Sequence, residues 1–428
     1  KRCGCLRLAC NDARMTELKR HATTARSFGL DMHLMSPQEA QQMWPLMDVS
    51  DLVGAAFVPS DGSANPSDVT SALAKGARMH GARIIEDCAV TAIETAAGRV
   101  QAVETSQGRI ECEVVVNCAG QWARELGQLA GVNVPLVSVE HQFMVTEAID
   151  GVTPDMPTLR DPDRLTYYKE EVGGLVMGGY EPNPISFAEQ GIPDNFIFQL
   201  LPENFEHFQQ LAELAMVRVP ALENVGIRKL YNGPESFTPD GNFILGEAPE
   251  VGGFFVAAGF NAFGIAAGGG AGKALAEWII GGEMPYDLWP VDIRRFGRHH
   301  TDVHWVRKRT LELYGKHYTI GWPYEEHESG RPLRRSPLYD TLRSAGGCFG
   351  EKLGWERPNW FAPPGVAPKD IYSFGRQNWF EHVGREHVAT REAVAFERAA
   401  RASAVDEVER VAPSPVCMRR NRAPFGGL

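Results

Sequence analysis

Residues 233–282, GPESFTPDGNFILGEAPEVGGFFVAAGFNAFGIAAGGGAGKALAEWIIGG, join a Pro-Asp-Gly turn to a short apolar run and a glycine-rich segment. Residues 253–258 are aromatic and β-branched between glycines, which predicts an interior strand. From Gly264 the apolar spacing and a closing Gly-Gly pair predict a helix. Residues 268–270 are all glycine, and each destabilises a helix by about 1 kcal/mol relative to alanine. We therefore expect a large partner against this backbone, either a ligand or a closely packed strand.

The composition is that of a large acidic globular chain. Its 428 residues, 43% of them hydrophobic, predict a large core and two or more domains. The net charge of −11 and the scattered basic residues disfavour nucleic acid as a partner. There is no run of eighteen apolar residues and no recognisable secretory signal, so we expect no membrane span. Eight thinly spread cysteines fit a reducing compartment, the cytoplasm or a mitochondrial matrix, and lack zinc-site spacing, so we predict no metal.

Local signals predict helices interleaved with strands. Residues 36–39, SPQE, form a capping box that starts one helix, and Pro66 starts another that runs to His80. Strands are predicted over 83–94, 99–105, 109–116, 134–146, 166–171, 174–180 and 196–200. The third of these runs into small residues and then into a helix at Trp122. Small residues after a strand mark the edge at which an open α/β sheet binds its ligand.

Four motifs in one order carry a family resemblance. They are DGSANPSDVTSALAKGARMHGARI (61–84), VVVNCAGQWARELG (114–127), GPESFTPDG (233–241) and AAGFNAFGIAAGGGAGKALAEWI (257–279). Together they resemble the FAD-dependent amine oxidoreductases of the dimethylglycine and sarcosine dehydrogenase family, over about residues 4–396. The resemblance implies an α/β fold of the D-amino-acid-oxidase type with an α+β substrate sheet. It also implies FAD as the cofactor and oxidative demethylation of an N-methyl glycine by hydride transfer to the flavin.

The same resemblance implies a set of FAD-binding residues in the strand ends and in the glycine-rich turn. They are Val90, Cys118, Ala119, Gly120, Trp122, Gly233, Gly259, Asn261, Gly264 and Ile265. From the residues alone, ordinary core packing is the alternative for Cys118 and Ala119.

The catalytic residues implied are His141 in the EHQF segment and Tyr168 in the TYYK segment. A histidine can accept the substrate ammonium proton or bind its carboxylate, and a tyrosine hydroxyl can position either. Without the resemblance, a histidine in an apolar strand is more often a core residue. Tyr167 and Tyr180 remain alternatives to Tyr168, because the sequence does not fix the phase of the strands. Two arginines are further candidates for carboxylate binding, with structural or solvated pairing as the alternative: Arg160 and Arg228.

The sequence departs from the family at both ends. It contains no G-x-G-x-x-G turn, which in the family holds the FAD pyrophosphate. We therefore expect this chain to bind FAD weakly and to be inactive by itself, unless a partner chain supplies the nucleotide-binding βαβ unit. The relatives also continue into a tetrahydrofolate-binding domain, whereas residues 397–428 are rich in Ala, Arg and Pro and predict disorder.

The domain boundaries that we expect are an oxidoreductase domain at 1–290 and a connector at 291–345. The start of an aminomethyltransferase-like folate domain follows at 346–396, and then an atypical tail at 397–428. Two functions remain open. One is an amine dehydrogenase or oxidase acting on a small N-methyl amino acid, with an unidentified electron acceptor. The other is a non-catalytic interaction protein related to the regulatory subunit of pyruvate dehydrogenase phosphatase.

Overall fold

The computed structural model describes residues 1–392, so the predicted tail at 397–428 lies outside the described residues. The chain divides into two compact units, Lys1–Thr319 and a second that begins at Ile320. This boundary falls inside the segment at 291–345 that we expected to be a connector. Within residues 1–392, no helix is both long enough and apolar enough to cross a membrane.

Unit 1 contains one large sheet and two small ones. Its strands are β1 (Cys5–Ala9), β2 (His33–Met35), β3 (Gly54–Val58), β4 (Val90–Ala96), β5 (Arg99–Thr105), β6 (Gly108–Glu111), β7 (Val115–Asn117), β8 (Val137–Thr146), β9 (Thr158–Asp161), β10 (Thr166–Glu171), β11 (Gly174–Gly179), β12 (Ser186–Phe187), β13 (Ile227–Phe237), β14 (Ile244–Glu247) and β15 (Phe254–Ala258). Its α-helices are α1 (Asp12–Ser27), α2 (Pro37–Met43), α3 (Pro66–Met79), α4 (Ala123–Leu129), α5 (Phe205–Arg218), α6 (Gly264–Gly281) and α7 (Val303–Gly315).

The large sheet has nine strands in the order β12-β8-β11-β10-β9-β1-β3-β2, with β13 also paired to β8. Most of its pairs are antiparallel, and β1 with β9 is a parallel exception. A second sheet, β14-β15-β7, contains the parallel pair β7 and β15, and the third sheet is β4-β5-β6. A mixed α/β unit with a mostly antiparallel sheet is the predicted fold class, which is confirmed.

One face of the large sheet forms the main hydrophobic core. Side chains from β8, β10 and β11 pack there against α2 and α5, and the fully buried members include Trp44, Tyr168, Met177, Leu211 and Ala215. Burial of apolar surface at about 25 cal/mol per Å² makes such a cluster the chief stabilising feature of a unit. These helices close this face of the sheet.

The helices that start with cap signals form as predicted. Ser36 caps α2, since its hydroxyl accepts from the backbone N–H of Glu39 and the Glu39 carboxylate accepts in return. Asn65 caps α3 before Pro66. These starts depend on contacts within four residues, which the sequence alone specifies.

One predicted strand is wrong, and another, predicted at 83–94, is correct only over 90–94. Residues 83–89 form no strand, and β4 starts only at Val90, while Ile84 and Ile85 are exposed. Residues 196–200 also form no strand. A strand needs a neighbour to pair its backbone groups, and the described part of the chain offers none at these two segments. The predicted strand at 109–116 is divided between β6 and β7.

Unit 2 contains α8 (Tyr339–Ser344), β16 (Gly347–Lys352), β17 (Trp355–Phe361) and α9 (Phe380–Glu392). The two strands form an antiparallel hairpin, and Trp360 is fully buried beneath α9. Glu386 of α9 accepts a hydrogen bond of 2.9 Å from the backbone N–H of Phe361. Burial raises the pKa of this carboxyl to about 7, although that hydrogen bond opposes the rise.

Candidate functional site

The face of the large sheet opposite the main core carries the candidate catalytic residues. Tyr314 of α7 covers part of it, whereas Arg160, Tyr167 and Gly233 are half-exposed, and this face is called the open face below. Arg160, Tyr167, Gly178 and Phe143 are directly opposite one another on β9, β10, β11 and β8, so they share one face. Side chains alternate along a strand, and His141 therefore lies on the same face as Phe143. Gly178 has a specific use here, because a Cβ at this position would collide with the Tyr167 hydroxyl. The Tyr167 ring thus crosses β11 toward β8.

His141 is held between two tyrosine hydroxyls. Its Nε2 lies 2.9 Å from the hydroxyl of Tyr167, and its Nδ1 lies 3.0 Å from the hydroxyl of Tyr314 on α7. The imidazole is 7% exposed. A neutral imidazole donates from one nitrogen and accepts at the other, so one tyrosine donates to it and the other accepts. This arrangement fixes the ring and can transmit a proton across it.

Tyr168, the tyrosine that the sequence favoured, does not lie beside His141. It is 1% exposed in the closed core, with its hydroxyl 3.0 Å from that of Thr166. Its ring packs 5.8 Å from that of Trp44. The two neighbouring tyrosines point to opposite faces of β10, and the strand register places Tyr167 on the histidine side. The geometry therefore replaces Tyr168 by Tyr167 as the partner of His141.

Aromatic rings surround His141 and a second histidine, His317. Tyr180 lies 4.8 Å from the His141 ring and 4.0 Å from that of His317 between ring centroids. Burial raises the pKa values of Tyr167, Tyr180 and Tyr314 well above 10, with nearby carboxylates adding to the rise. These hydroxyls therefore keep their protons at neutral pH. Burial, aided by Arg160 and His141, lowers the pKa of His317 to about 4, so this imidazole is uncharged.

A chain of polar groups continues from the histidine to the surface. The Tyr314 hydroxyl donates to Glu181 Oε2 over 3.4 Å, and Glu181 Oε1 lies 3.0 Å from His207 Nε2. Glu181 is buried, whereas the His207 side chain is 19% exposed. No sequence motif indicated Tyr314, Glu181 or His207, because they come from three segments that only the fold brings together.

Two charged groups on the same face have no ion-pair partner among residues 1–392. Arg160 is half-buried, and its side chain makes no hydrogen bond to the described residues. Glu235 of β13 pairs in register with Val139, which puts it on the His141 face, and its Oε2 is buried without a hydrogen bond. Arg228, the other arginine considered for carboxylate binding, is exposed and lies 3.6 Å from Glu147.

A second group of candidate residues lies where β7 and β15 end. The two strands are parallel and adjacent, so their carboxyl ends meet at one edge. Residues 118–120 follow β7, and residues 259–264 follow β15 into α6. Asn261 holds the second turn, because its side chain accepts from the backbone N–H of Thr238 at 2.9 Å and donates to the carbonyl of Gly259 at 2.7 Å. Both segments therefore contribute to one edge, as expected.

The surface beside this edge is open and poor in side chains. Gly120 has a φ of +58°, and a Cβ there would meet nothing within 4 Å. A Cβ would likewise meet nothing within 4 Å at four glycines of α6: Gly268, Gly269, Gly270 and Gly272. Three larger predicted residues at the edge are exposed: Cys118, Trp122 and Ile265. Nothing in the described chain fills this surface.

Two predicted cofactor residues lie elsewhere. Val90 is the first residue of β4 in the separate three-stranded sheet and is 37% exposed. Gly233 lies on β13 directly opposite His141, so it belongs to the open face of the large sheet. A Cβ at Gly233 would lie 3.6 Å from the side chain of Leu200. Gly264 and Ala119 lie with the strand-end residues, as first residue of α6 and in the turn after β7.

Comparison with known proteins decides the family. The family model described as FAD dependent oxidoreductase matches residues 1–278, well over half of the chain. This chain belongs to the FAD-dependent oxidoreductase family. A second model, described as FAD dependent oxidoreductase central domain, matches residues 281–336, which include α7. The suspected family is therefore confirmed, with FAD as its cofactor.

The relatives include amine dehydrogenases. Mitochondrial sarcosine dehydrogenase of Mus musculus is 44% identical over 377 residues, covering 87% of this chain and 41% of the relative. Mitochondrial dimethylglycine dehydrogenase of Mus musculus is 35% identical over 90% of this chain and 45% of the relative. The mitochondrial pyruvate dehydrogenase phosphatase regulatory subunit of Mus musculus is 39% identical over 92% of this chain and 45% of the relative. The chain spans less than half the length of these relatives.

A solved structure supports the same fold. L-proline dehydrogenase from P. horikoshii superimposes with a TM-score of 0.62 at 27% identity, over 70% of this chain and 78% of that structure.

The residues present fit part of an FAD molecule. The side-chain-free surface of α6 and Gly120 allows a flat group to approach the backbone, and a helix start favours an electron-rich edge. The residues present offer fewer contacts to the pyrophosphate of FAD, because the 428 residues contain no G-x-G-x-x-G turn. Among the described residues, no group of three His, Cys, Asp or Glu side chains is placed to hold a metal ion.

Proposed function

We propose that this chain forms the substrate-oxidising part of an FAD-dependent amine oxidoreductase that demethylates a small N-methyl amino acid. The observation that carries the proposal is the His141–Tyr167 pair, buried on the open sheet face beside an arginine without an ion-pair partner. The sarcosine and dimethylglycine dehydrogenases among the relatives support this substrate class. The mitochondrial relatives also support a mitochondrial matrix location in a eukaryote.

Substrate binding rests on Arg160. Its guanidinium presents fixed donors that match a carboxylate, and it faces Tyr167 across the β9–β10 pair. A carboxylate held there would place the amine over the Tyr167 hydroxyl. Orientation of this kind converts an encounter into a reactive geometry, which is a large part of enzymatic rate acceleration.

The histidine and tyrosines manage the amine proton. An N-methyl amine is protonated at neutral pH, and its nitrogen must lose that proton before the methyl carbon can lose a hydride. The Tyr167 hydroxyl donates to His141 Nε2, so it can take the amine proton while passing its own to the imidazole. His141 Nδ1 then donates to Tyr314, and Tyr314 to Glu181. Each group is thus oriented to move a proton away from the substrate.

FAD, when bound, supplies the hydride acceptor. The residues that would hold it are those of the strand-end surface: Cys118, Ala119, Gly120, Trp122, Gly259, Asn261, Gly264 and Ile265. A nucleotide-binding βαβ unit outside residues 1–428 would supply the pyrophosphate contacts. We also propose that the region from 346 starts an aminomethyltransferase-like folate domain.

The test measures flavin reduction directly. The 428-residue chain is titrated with FAD, alone and after co-expression with a βαβ unit that carries a G-x-G-x-x-G turn. Each flavin-loaded sample is mixed anaerobically with sarcosine and dimethylglycine. We expect bleaching of the flavin absorbance by an N-methyl amine in the co-expressed sample and weak FAD binding by the chain alone. Bound flavin that no N-methyl amino acid reduces would overturn the proposal.

That negative result would favour the second candidate function, a regulatory subunit that acts through protein contacts. The 39% identity to the pyruvate dehydrogenase phosphatase regulatory subunit is the observation behind it. The retained His141–Tyr167–Tyr314 arrangement favours the oxidoreductase, because a protein that acts only through its surface has no need for it.

A further inference from the structure

Glu235 lies next to His141 but has no assigned role. It is opposite Val139 in the β8–β13 pair, whereas His141 is opposite Gly233. Glu235 and His141 are therefore diagonal neighbours on one face, about 7–8 Å apart at their backbones and within reach of long side chains. Between them, Gly233 contributes no side chain that would separate the two groups.

The carboxylate of Glu235 is unsatisfied within residues 1–392. Its Oε2 is buried, and neither oxygen accepts a hydrogen bond or meets a basic side chain there. Glu181, by contrast, has both of its oxygens engaged by Tyr314 and His207 on the same side of the sheet. Glu235 as a whole is half-buried, but a polar oxygen that is shielded from water is destabilising unless a donor or a cation compensates it. An unsatisfied one beside a catalytic pair therefore indicates that a ligand supplies the missing charge.

The surroundings of Glu235 define that ligand. Burial is the main cause of the raised pKa values of Tyr167 and Tyr180. The negative charge of Glu235 raises these pKa values further, and the positive charge of Arg160 lowers them. Both charged groups thus face one space. Their strands are four steps apart in the sheet, and Glu235 lies four residues along β13 from the level of Arg160, so their backbones are about 23 Å apart. The group missing beside the Glu235 carboxylate is a donor or a cation, and a protonated amine is both.

We propose that the Glu235 carboxylate binds the ammonium group of the substrate and makes the site selective for amines over neutral molecules of the same shape. The assignment rests on the proposed function, because it takes the ligand to be an N-methyl amino acid. Glu235 would hold the charged amine beside Tyr167 and His141 until its proton leaves. Glu235 is then a binding residue that sets substrate class, and His141 remains the proton acceptor.

The test compares two ligands of nearly equal shape. Sarcosine carries a cationic NH₂⁺, and methoxyacetate carries a neutral ether oxygen in its place. Equilibrium binding of each is measured by calorimetry with the full chain, without added FAD so that nothing is oxidised. We expect the wild-type chain to prefer sarcosine and Glu235→Gln to weaken sarcosine about tenfold or more. Methoxyacetate binding should not change in this variant.

Glu140→Gln is the matched control, because Glu140 lies on β8 with its side chain on the other face, where it accepts from Asn232 at 2.8 Å. It should leave both affinities unchanged. Thermal unfolding separates binding from folding: removing an unsatisfied buried charge should keep or raise the melting temperature, whereas loss of a structural contact would lower it.

The outcomes distinguish the two proposals. If wild-type and Glu235→Gln chains bind sarcosine equally well, or if Glu235→Gln lowers the melting temperature and weakens both ligands alike, the role given to Glu235 is wrong and the substrate site stands. If the wild-type chain binds neither ligand, the proposed substrate site is wrong, and the role of Glu235 falls with it.

Discussion

Replacing Gly269 by alanine should stabilise the protein and weaken FAD binding at the same time. Gly269 lies inside α6, and a Cβ there would meet nothing within 4 Å in the described chain. Alanine is favoured over glycine in a helix interior by about 1 kcal/mol, so the free energy of unfolding should rise by about that amount. The triple variant with alanine at 268, 269 and 270 should gain about 3 kcal/mol if the effects add.

The opposite effect is expected on FAD. If the cofactor lies against this backbone, a methyl group holds it away and should weaken binding about tenfold or more, which is about 1.4 kcal/mol. Gly384→Ala is the matched control, since Gly384 is also an open helical glycine, on α9 of unit 2. It should give the same helix gain locally without any loss of FAD affinity.

Denaturant unfolding followed by circular dichroism measures the first effect, and fluorescence titration with FAD in the presence of the βαβ unit measures the second. A Gly269→Ala chain that unfolds more easily would show that another part of the protein covers this surface. A stabilised chain with unchanged FAD affinity would refute the placement of the cofactor on the α6 glycines.

Three other predictions concern single side chains. Tyr167→Phe should slow flavin reduction by an N-methyl amine at least tenfold, whereas Tyr168→Phe should leave it unchanged; rapid-mixing kinetics that give the reverse order would contradict the register of β10. The pKa of Glu386 in the folded chain, about 7, exceeds its ordinary value of 4.5. The stability that the protonated carboxyl contributes to the fold is therefore complete below pH 4.5 and is lost as the pH rises through 7. Glu386→Gln should remove this loss, at most about 3 kcal/mol, from denaturant unfolding of unit 2, and an unchanged pH profile would refute it. The pH dependence due to His317 runs the other way, because its pKa in the folded chain, about 4, lies below its ordinary value of 6.5, and the free energy of unfolding therefore falls as the pH drops from 6.5 toward 4. His317→Phe should make the free energy of unfolding of unit 1 less dependent on pH in this range. A dependence as steep as that of the wild type would count against burial of the neutral ring.

The sequence predicted those features that depend on local chemistry. The caps at Ser36 and Asn65 and the small residues after β7 and β15 need only neighbouring positions, and they form as expected. The family resemblance pointed to His141 together with Tyr168, whereas the structure places Tyr167 beside His141. Which tyrosine faces His141 was not predictable, because a strand read alone has two equivalent phases. The pairing of Tyr167 with Gly178 on β11, and of Gly178 with Phe143 on β8, sets that phase.

Other features depend on long-range contacts and left no signal in the sequence. Tyr314 contacts His141 across 173 positions, and nothing in its own helix distinguishes it from a core residue. Glu235 belongs to a recognised motif, but its lack of a partner is visible only in three dimensions. The strand predicted at 83–94 starts only at Val90 for the same reason, since an apolar run becomes a strand only beside another strand.

The attachment of Tyr314 to His141 makes the order of synthesis matter. When β8 leaves the ribosome, its histidine can find Tyr167 soon afterwards, but the residue that fixes its other nitrogen is made 173 positions later. A chain that stops short of α7, through early termination or proteolysis, can still carry the sheet but leaves the imidazole free to turn. Catalytic competence would then arrive late, as a property of a completed unit 1 rather than of its first part. Such a dependence would keep partly made copies chemically idle.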